Sequence, residues 1–244
     1  MSPHRTSDRS ALASLAVTQS RLRADGARST PAERGRARRI LTRLQNRYPA
    51  IATALDYVDP WQLLVATVIS AQTTDENVNR ATPELFRRYP NPMALAQANP
   101  AEVERIIFST GFYRQKTKSI VDLSRDLVER FDGIVPDTID DLVQLRGVGR
   151  KTASVVLAEA FGEPAIAVDT HVRRLSNRLG LSESTDPNKI EVDLKSLFPP
   201  GVWGGISMRL IQYGRDVCVA RTPRCYECDL VDLCPFPDKT TPVQ

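Results

Sequence analysis

The chain has 244 residues, 41% hydrophobic and 25% charged, the composition of a folded protein with one large or two small cores. No run of eighteen apolar residues occurs, and the N-terminus lacks the apolar stretch of a secretory signal; a membrane span is excluded and the cytosol is the default compartment. The formal net charge of +4 conceals an imbalance, because the first 48 residues carry eleven Arg, no Lys and three acids while the remainder is mildly acidic. A basic arm of this kind suits contact with phosphates; arginines that only keep a tail solvated, or a transit peptide, are the alternatives.

Residues 1–30 mix small, polar and Arg residues without a sustained period and are expected to form a disordered basic extension. A helix start is predicted at Ser29-Thr30-Pro31-Ala32-Glu33, followed by the apolar stripe Ile40, Leu41, Leu44 and Tyr48. From Pro60 onward helix follows helix, over 61–72, 77–89, 92–98, 100–110, 115–131, 138–145 and 149–161, with short breaks that carry Pro, Gly, Asn or Asp. Segments 169–180, 188–198 and 203–218 read the same way, the first opened by an Asp cap and closed by Gly180. Runs such as 155–161 and 166–172 pass for short strands, but alternation is not sustained, and the predicted fold class is all-α.

The most informative stretch runs from Leu142 to Ala153. An apolar helix end, the turn Gly147-Val148-Gly149 and a helix opening on Arg150 and Lys151 make a helix-hairpin-helix element. Glycines allow close approach of a phosphate, and the free amides of the next helix point at its oxygens, which grips a nucleic-acid backbone without reading sequence. A tight hairpin whose glycines only relieve strain is the alternative. Lys151 shifts the balance, because the chain has six Lys against twenty-seven Arg. Arginine serves a phosphate as well, whereas a nucleophile requires an amine that can lose its proton. Asp169 sits at a helix start, where it caps and also keeps a permanent negative charge.

Residues 145–180 resemble the helix-hairpin-helix, Gly/Pro-rich loop and catalytic aspartate of the endonuclease III family, and the similarity runs from about residue 33 to residue 236. The resemblance implies that Lys151 attacks the sugar C1′ of an extruded nucleotide and that Asp169 supports the developing positive charge. Desolvation and the neighbouring Arg150 are expected to favour the neutral amine. The family's SAQ-T-D segment is present from Ser70 to Asp75, and its glutamine, here Gln72, fills the gap left by the base. The wedge position, often leucine in the family, falls at Phe112, an aromatic that can stack between bases; a buried core Phe is the competing reading.

All four cysteines, Cys218, Cys225, Cys228 and Cys234, lie within seventeen residues. Four thiolates hold zinc or a 4Fe–4S cluster, and a single C-x2-C pair leans towards iron–sulfur. The spacing matches the cluster of the endonuclease III family, which implies a 4Fe–4S cofactor organising a loop whose Arg221 and Arg224 meet phosphates. With His4 and His171 far apart, no histidine dyad is available.

The architecture implied is two helical lobes with a central cleft. Residues 54–165 form a six-helix module with the hairpin, and 31–53 plus 166–244 form the iron–sulfur domain. The function implied is a bifunctional base-excision enzyme of the bacterial cytoplasm, a monomer acting at the nucleoid on duplex DNA with damaged pyrimidines or abasic sites. The competing readings are an adenine-mismatch glycosylase without a Schiff-base lysine and a non-catalytic damage-binding module.

Overall fold

The structure, a computed structural model, describes residues 29–241. The basic extension expected over 1–30 lies outside the described residues except for Ser29 and Thr30, and these two do not belong to a free arm. Thr30 Oγ1 accepts from the Glu33 amide (3.2 Å) and the Glu33 carboxylate accepts from the Thr30 amide (2.8 Å), the reciprocal cap that opens α1 (Pro31–Arg47).

Polar caps recur along the chain, each taking up an amide that helix geometry leaves unpaired. Asp59 opens α2 (Pro60–Ile69), Thr74 opens α3 (Asp75–Arg88), Asn91 opens α4 (Pro92–Ala96) and Asn99 opens α5 (Pro100–Ile107). The long α6 (Tyr113–Phe131) follows a single turn at Phe108–Thr110, and Thr138 opens the short α7 (Ile139–Leu142). After the hairpin come α8 (Arg150–Val156), α9 (Thr170–Arg178), α10 (Pro187–Leu197) and α11 (Trp203–Asp216). Among the described residues there is no strand, as the all-α reading requires.

Several helices differ from their expected extents. The helix expected over 61–72 stops at Ile69, that over 138–145 shortens to α7, and that over 149–161 passes into a wider π turn at Leu157–Phe161.

Buried apolar residues fall into two clusters. One runs from Leu55 to Ala165 and includes Trp61, Leu85, Ile120 and Leu127; the other joins Ala37, Ile40 and Leu44 of α1 to Ile166, Leu175, Leu210 and Tyr213. Each fully buried Leu or Ile contributes about 1.5–3 kcal/mol. The stripe read from α1 thus packs against residues more than a hundred positions away. The chain crosses between the clusters twice, after Leu44 and at Ala165–Ile166.

Candidate catalytic cleft and cysteine pocket

Lys151 is the second residue of α8, a helix of the first cluster, and Asp169 is the residue before α9, a helix of the second. Both line one cleft of about 610 Å³, open to solvent, with Thr53, Ser70, Asp75, Gln212 and Arg215. The Asp169 carboxylate accepts from the Val172 amide at 2.8 Å and so caps α9. Arg215 on α11 reaches Asp75 at 3.2 Å, an ion pair between side chains of the cleft wall. Burial pushes the His171 imidazole below its ordinary value against the pull of Asp169, and Arg174 and Arg215 add to the lowering. His171 is partly buried and packs against α11, since a Cβ added at Gly214 would stand 2.9 Å from its Nδ1.

The burial expected at Lys151 is not found. Lys151 is exposed, and Arg150 is turned away into a two-pronged pair with Glu191 (2.7 and 3.0 Å). Glu191 on α10 is buried and is also met by Lys195 at 2.6 Å, so its charge needs these partners. The Arg150 guanidinium is thus engaged within the protein while its side chain stays half exposed. Its pair ties the hairpin to the second cluster.

The hairpin itself is held on α6. The Arg146 amide donates to Asp126 at 2.8 Å, its guanidinium reaches the same carboxylate at 2.7 Å, and Asp126 is buried. Gly147 has φ +81°, and a Cβ there would stand 2.8 Å from Cβ of Ser119, also on α6. Val148 is buried, its amide donating to the Leu145 carbonyl at 3.1 Å. Gly149 differs from Gly147, because its φ is −90° and a Cβ would meet nothing within 4 Å. Neither conformation nor internal packing requires glycine there.

Gln72 and Phe112 share an unusual backbone. Both adopt left-handed conformations, φ 55° and 47°, which cost a side-chain-bearing residue about 1–3 kcal/mol each. Both are exposed, Phe112 at 67%, which removes the buried-core reading of that ring. Gln72 stands two residues beyond the cleft-lining Ser70. Phe112 precedes α6, the helix that carries the hairpin.

The four cysteines line a second pocket with Leu175, Leu179, Tyr213 and Val217. Arg178 donates to the Cys218 sulfur at 3.3 Å and the Tyr213 hydroxyl to the Cys228 sulfur at 3.2 Å, bonds suited to thiolates. Among the described residues no three His, Cys, Asp or Glu side chains converge on one ion position. Four cysteine sulfurs around one pocket are compatible with an iron–sulfur cluster. Arg221 and Arg224 are exposed on the loop between Cys218 and Cys225, Arg224 within 3.9 Å of Glu227.

The sequence points to Lys151 and Asp169, which line one cleft, and to the cysteines, which line another pocket; Asp75 stands in its motif without a role. Sequence reasoning missed Thr53, Gln212 and Arg215 in the cleft wall, which carry no local signature. Among the described residues no helix is long and apolar enough to cross a membrane.

Residues 65–200 match the model of the HhH-GPD superfamily base excision DNA repair proteins. The endonuclease III of Synechocystis sp. is 52% identical over 209 residues, covering 85% of this chain and 95% of that protein. That of Escherichia coli K12 is 40% identical over 200 residues, 82% and 95%. A solved structure of a trapped endonuclease III–DNA covalent intermediate superposes with a TM-score of 0.79 at 40% identity, over 83% of this chain and 95% of that one. A thermostable thymine-DNA glycosylase, 22% identical, shares the fold with a TM-score of 0.76 over 83% and 96%. The chain belongs to the HhH-GPD superfamily of base excision DNA repair proteins and, within it, to the endonuclease III family.

Proposed function

We propose that Lys151 is the nucleophile and Asp169 the charge-stabilising carboxylate of a bifunctional DNA glycosylase and abasic-site lyase, acting on damaged pyrimidines in duplex DNA. The observation that carries this reading is that an exposed amine and a capped carboxylate, brought by helices of different clusters, line one cleft. The Lys151 nitrogen forms a bond to C1′ while the base leaves with its bonding electrons and takes up a proton. Asp169 faces the positive charge that develops on the sugar. Opening of the sugar ring leaves a protonated Schiff base, an electron sink that allows loss of the C2′ proton and expulsion of the 3′ phosphate.

The hairpin supplies the phosphate grip. Open space at Gly149 supports this, since a glycine that neither packing nor conformation demands leaves room for an approach from outside. Gln72 and Phe112 enter the duplex as the nucleotide leaves it, a reading supported by exposed side chains on strained backbone. Cys218, Cys225, Cys228 and Cys234 would hold a 4Fe–4S cluster, which supplies iron–thiolate bonds that fix the loop bearing Arg221 and Arg224. The two clusters support a division into a helical module, 54–165, with seven α-helices rather than the six expected, and a cluster domain, 31–53 with 166–244. One chain carries both reactive groups, which supports action as a monomer; bacterial relatives support action at the nucleoid.

Borohydride trapping tests the assignment. Duplex DNA carrying thymine glycol or an abasic site should yield a covalent protein–DNA band that Lys151→Gln abolishes. A persistent band sinks the role of Lys151, and base release without trapping shows a monofunctional glycosylase.

A further inference from the structure

Between α1 and α2 the chain runs through residues 48–56 without regular structure, yet side chains from three distant elements hold its backbone. Arg209 of α11 donates to the carbonyls of Tyr48 and Pro49 at 3.0 and 3.1 Å. Asn79 of α3 donates to the Ala54 carbonyl at 2.8 Å and accepts from the Asp56 amide at 3.0 Å. Glu159, in the π turn after α8, accepts from the Thr53 amide at 2.8 Å. A connection that only needed to span two helices would not require such fixing, and π turns recur where a site must be shaped.

Residues 51–55 of this segment form one side of the cleft that holds Lys151 and Asp169. Their side chains are small or apolar, and among the described residues the amides and carbonyls of Ile51 and Ala52 make no hydrogen bond. A fixed wall of small and apolar residues with unspent backbone donors and acceptors suits a flat heterocycle whose edge carries both.

We propose that residues 51–55 are the wall that receives the extruded pyrimidine, its backbone facing the base edge, and that Glu159 is the positioning residue that sets this wall through Thr53. The proposal rests on the reading of the cleft as the catalytic site. Glu159 touches neither the sugar nor the reacting atoms, so its influence falls on the step that needs the base and spares the step that does not.

The test compares full-length wild type, Glu159→Leu and Glu159→Gln on two duplexes, one with thymine glycol and one with a preformed abasic site. Loss of one backbone hydrogen bond should lower kcat/KM for base release about tenfold in Glu159→Leu. Nicking of the abasic duplex should stay within about twofold of wild type. Glu159→Gln keeps an acceptor oxygen for the Thr53 amide and should release base at the wild-type rate. Equal losses on both duplexes, no loss on either, or a Gln variant as weak as the Leu variant overturns the proposal. If Glu159→Leu does not fold, Asn79→Ala, which frees the Ala54 carbonyl, must give the same split between substrates. Wild type that fails to nick abasic DNA overturns the catalytic reading of the cleft instead.

Discussion

At Asp169 capping and charge coincide in one carboxylate, and a single substitution separates them. Asparagine caps as well as aspartate, so Asp169→Asn should leave the melting temperature nearly unchanged while base release falls by about 10²-fold. A melting temperature that falls in step with activity would mean the cap alone matters. The hairpin glycines offer a second contrast. Gly147→Ala meets both a positive φ and Ser119, and should cost about 1–3 kcal/mol in thermal unfolding. Gly149→Ala should change stability by less than about 0.5 kcal/mol yet weaken binding to abasic DNA, because the added methyl projects into space left for a phosphate. Lys151, Asp169 and the cysteines were legible because residue type and local spacing define their chemistry. The engagement of Arg150 was not, because its partner Glu191 lies forty-one residues further on and meets it only in the folded chain.

Among the helices, α6 carries the longest list of duties. Its N-terminus follows Phe112, its middle packs Ser119 under Gly147, and Asp126 holds the Arg146 amide and guanidinium. Burial works to raise the Asp126 carboxyl, but hydrogen bonds from Arg146 outweigh it and hold it below the ordinary carboxylate value. A carboxylate held low stabilises the fold above its ordinary range and loses that contribution as pH falls through and below it. Asp126→Asn should therefore cost about 2 kcal/mol at neutral pH, less than a fully buried pair because Arg146 is half exposed. The gap in melting temperature between variant and wild type should close below about pH 4; a gap constant with pH would refute the ionic origin. Helices were legible from caps and apolar periodicity, but their ends were not. The left-handed turn at Gln72 and the wall at 51–55 show no period, and distant side chains hold the wall.

Across the whole molecule, α1 is bound to the cysteine pocket by more than its apolar stripe. Arg36 donates to the carbonyls of Gly180 and Leu233, and Arg43 meets the Asp229 carbonyl and the Asp232 carboxylate between Cys228 and Cys234. With the proposed 4Fe–4S cluster in place, replacing Arg36 and Arg43 by alanine should speed loss of iron to a chelator several-fold, read as protein-bound iron over time. Unchanged retention would show that the ligands hold the loop alone. The same arrangement has a consequence during synthesis. α1 leaves the ribosome about 120 residues before Ile166, the first of its partners from the far side of the chain. At roughly 5–20 residues per second, its apolar face waits on the order of ten seconds without a partner while the intervening cluster folds first. A segment made late is thus the one that shelters a segment made early.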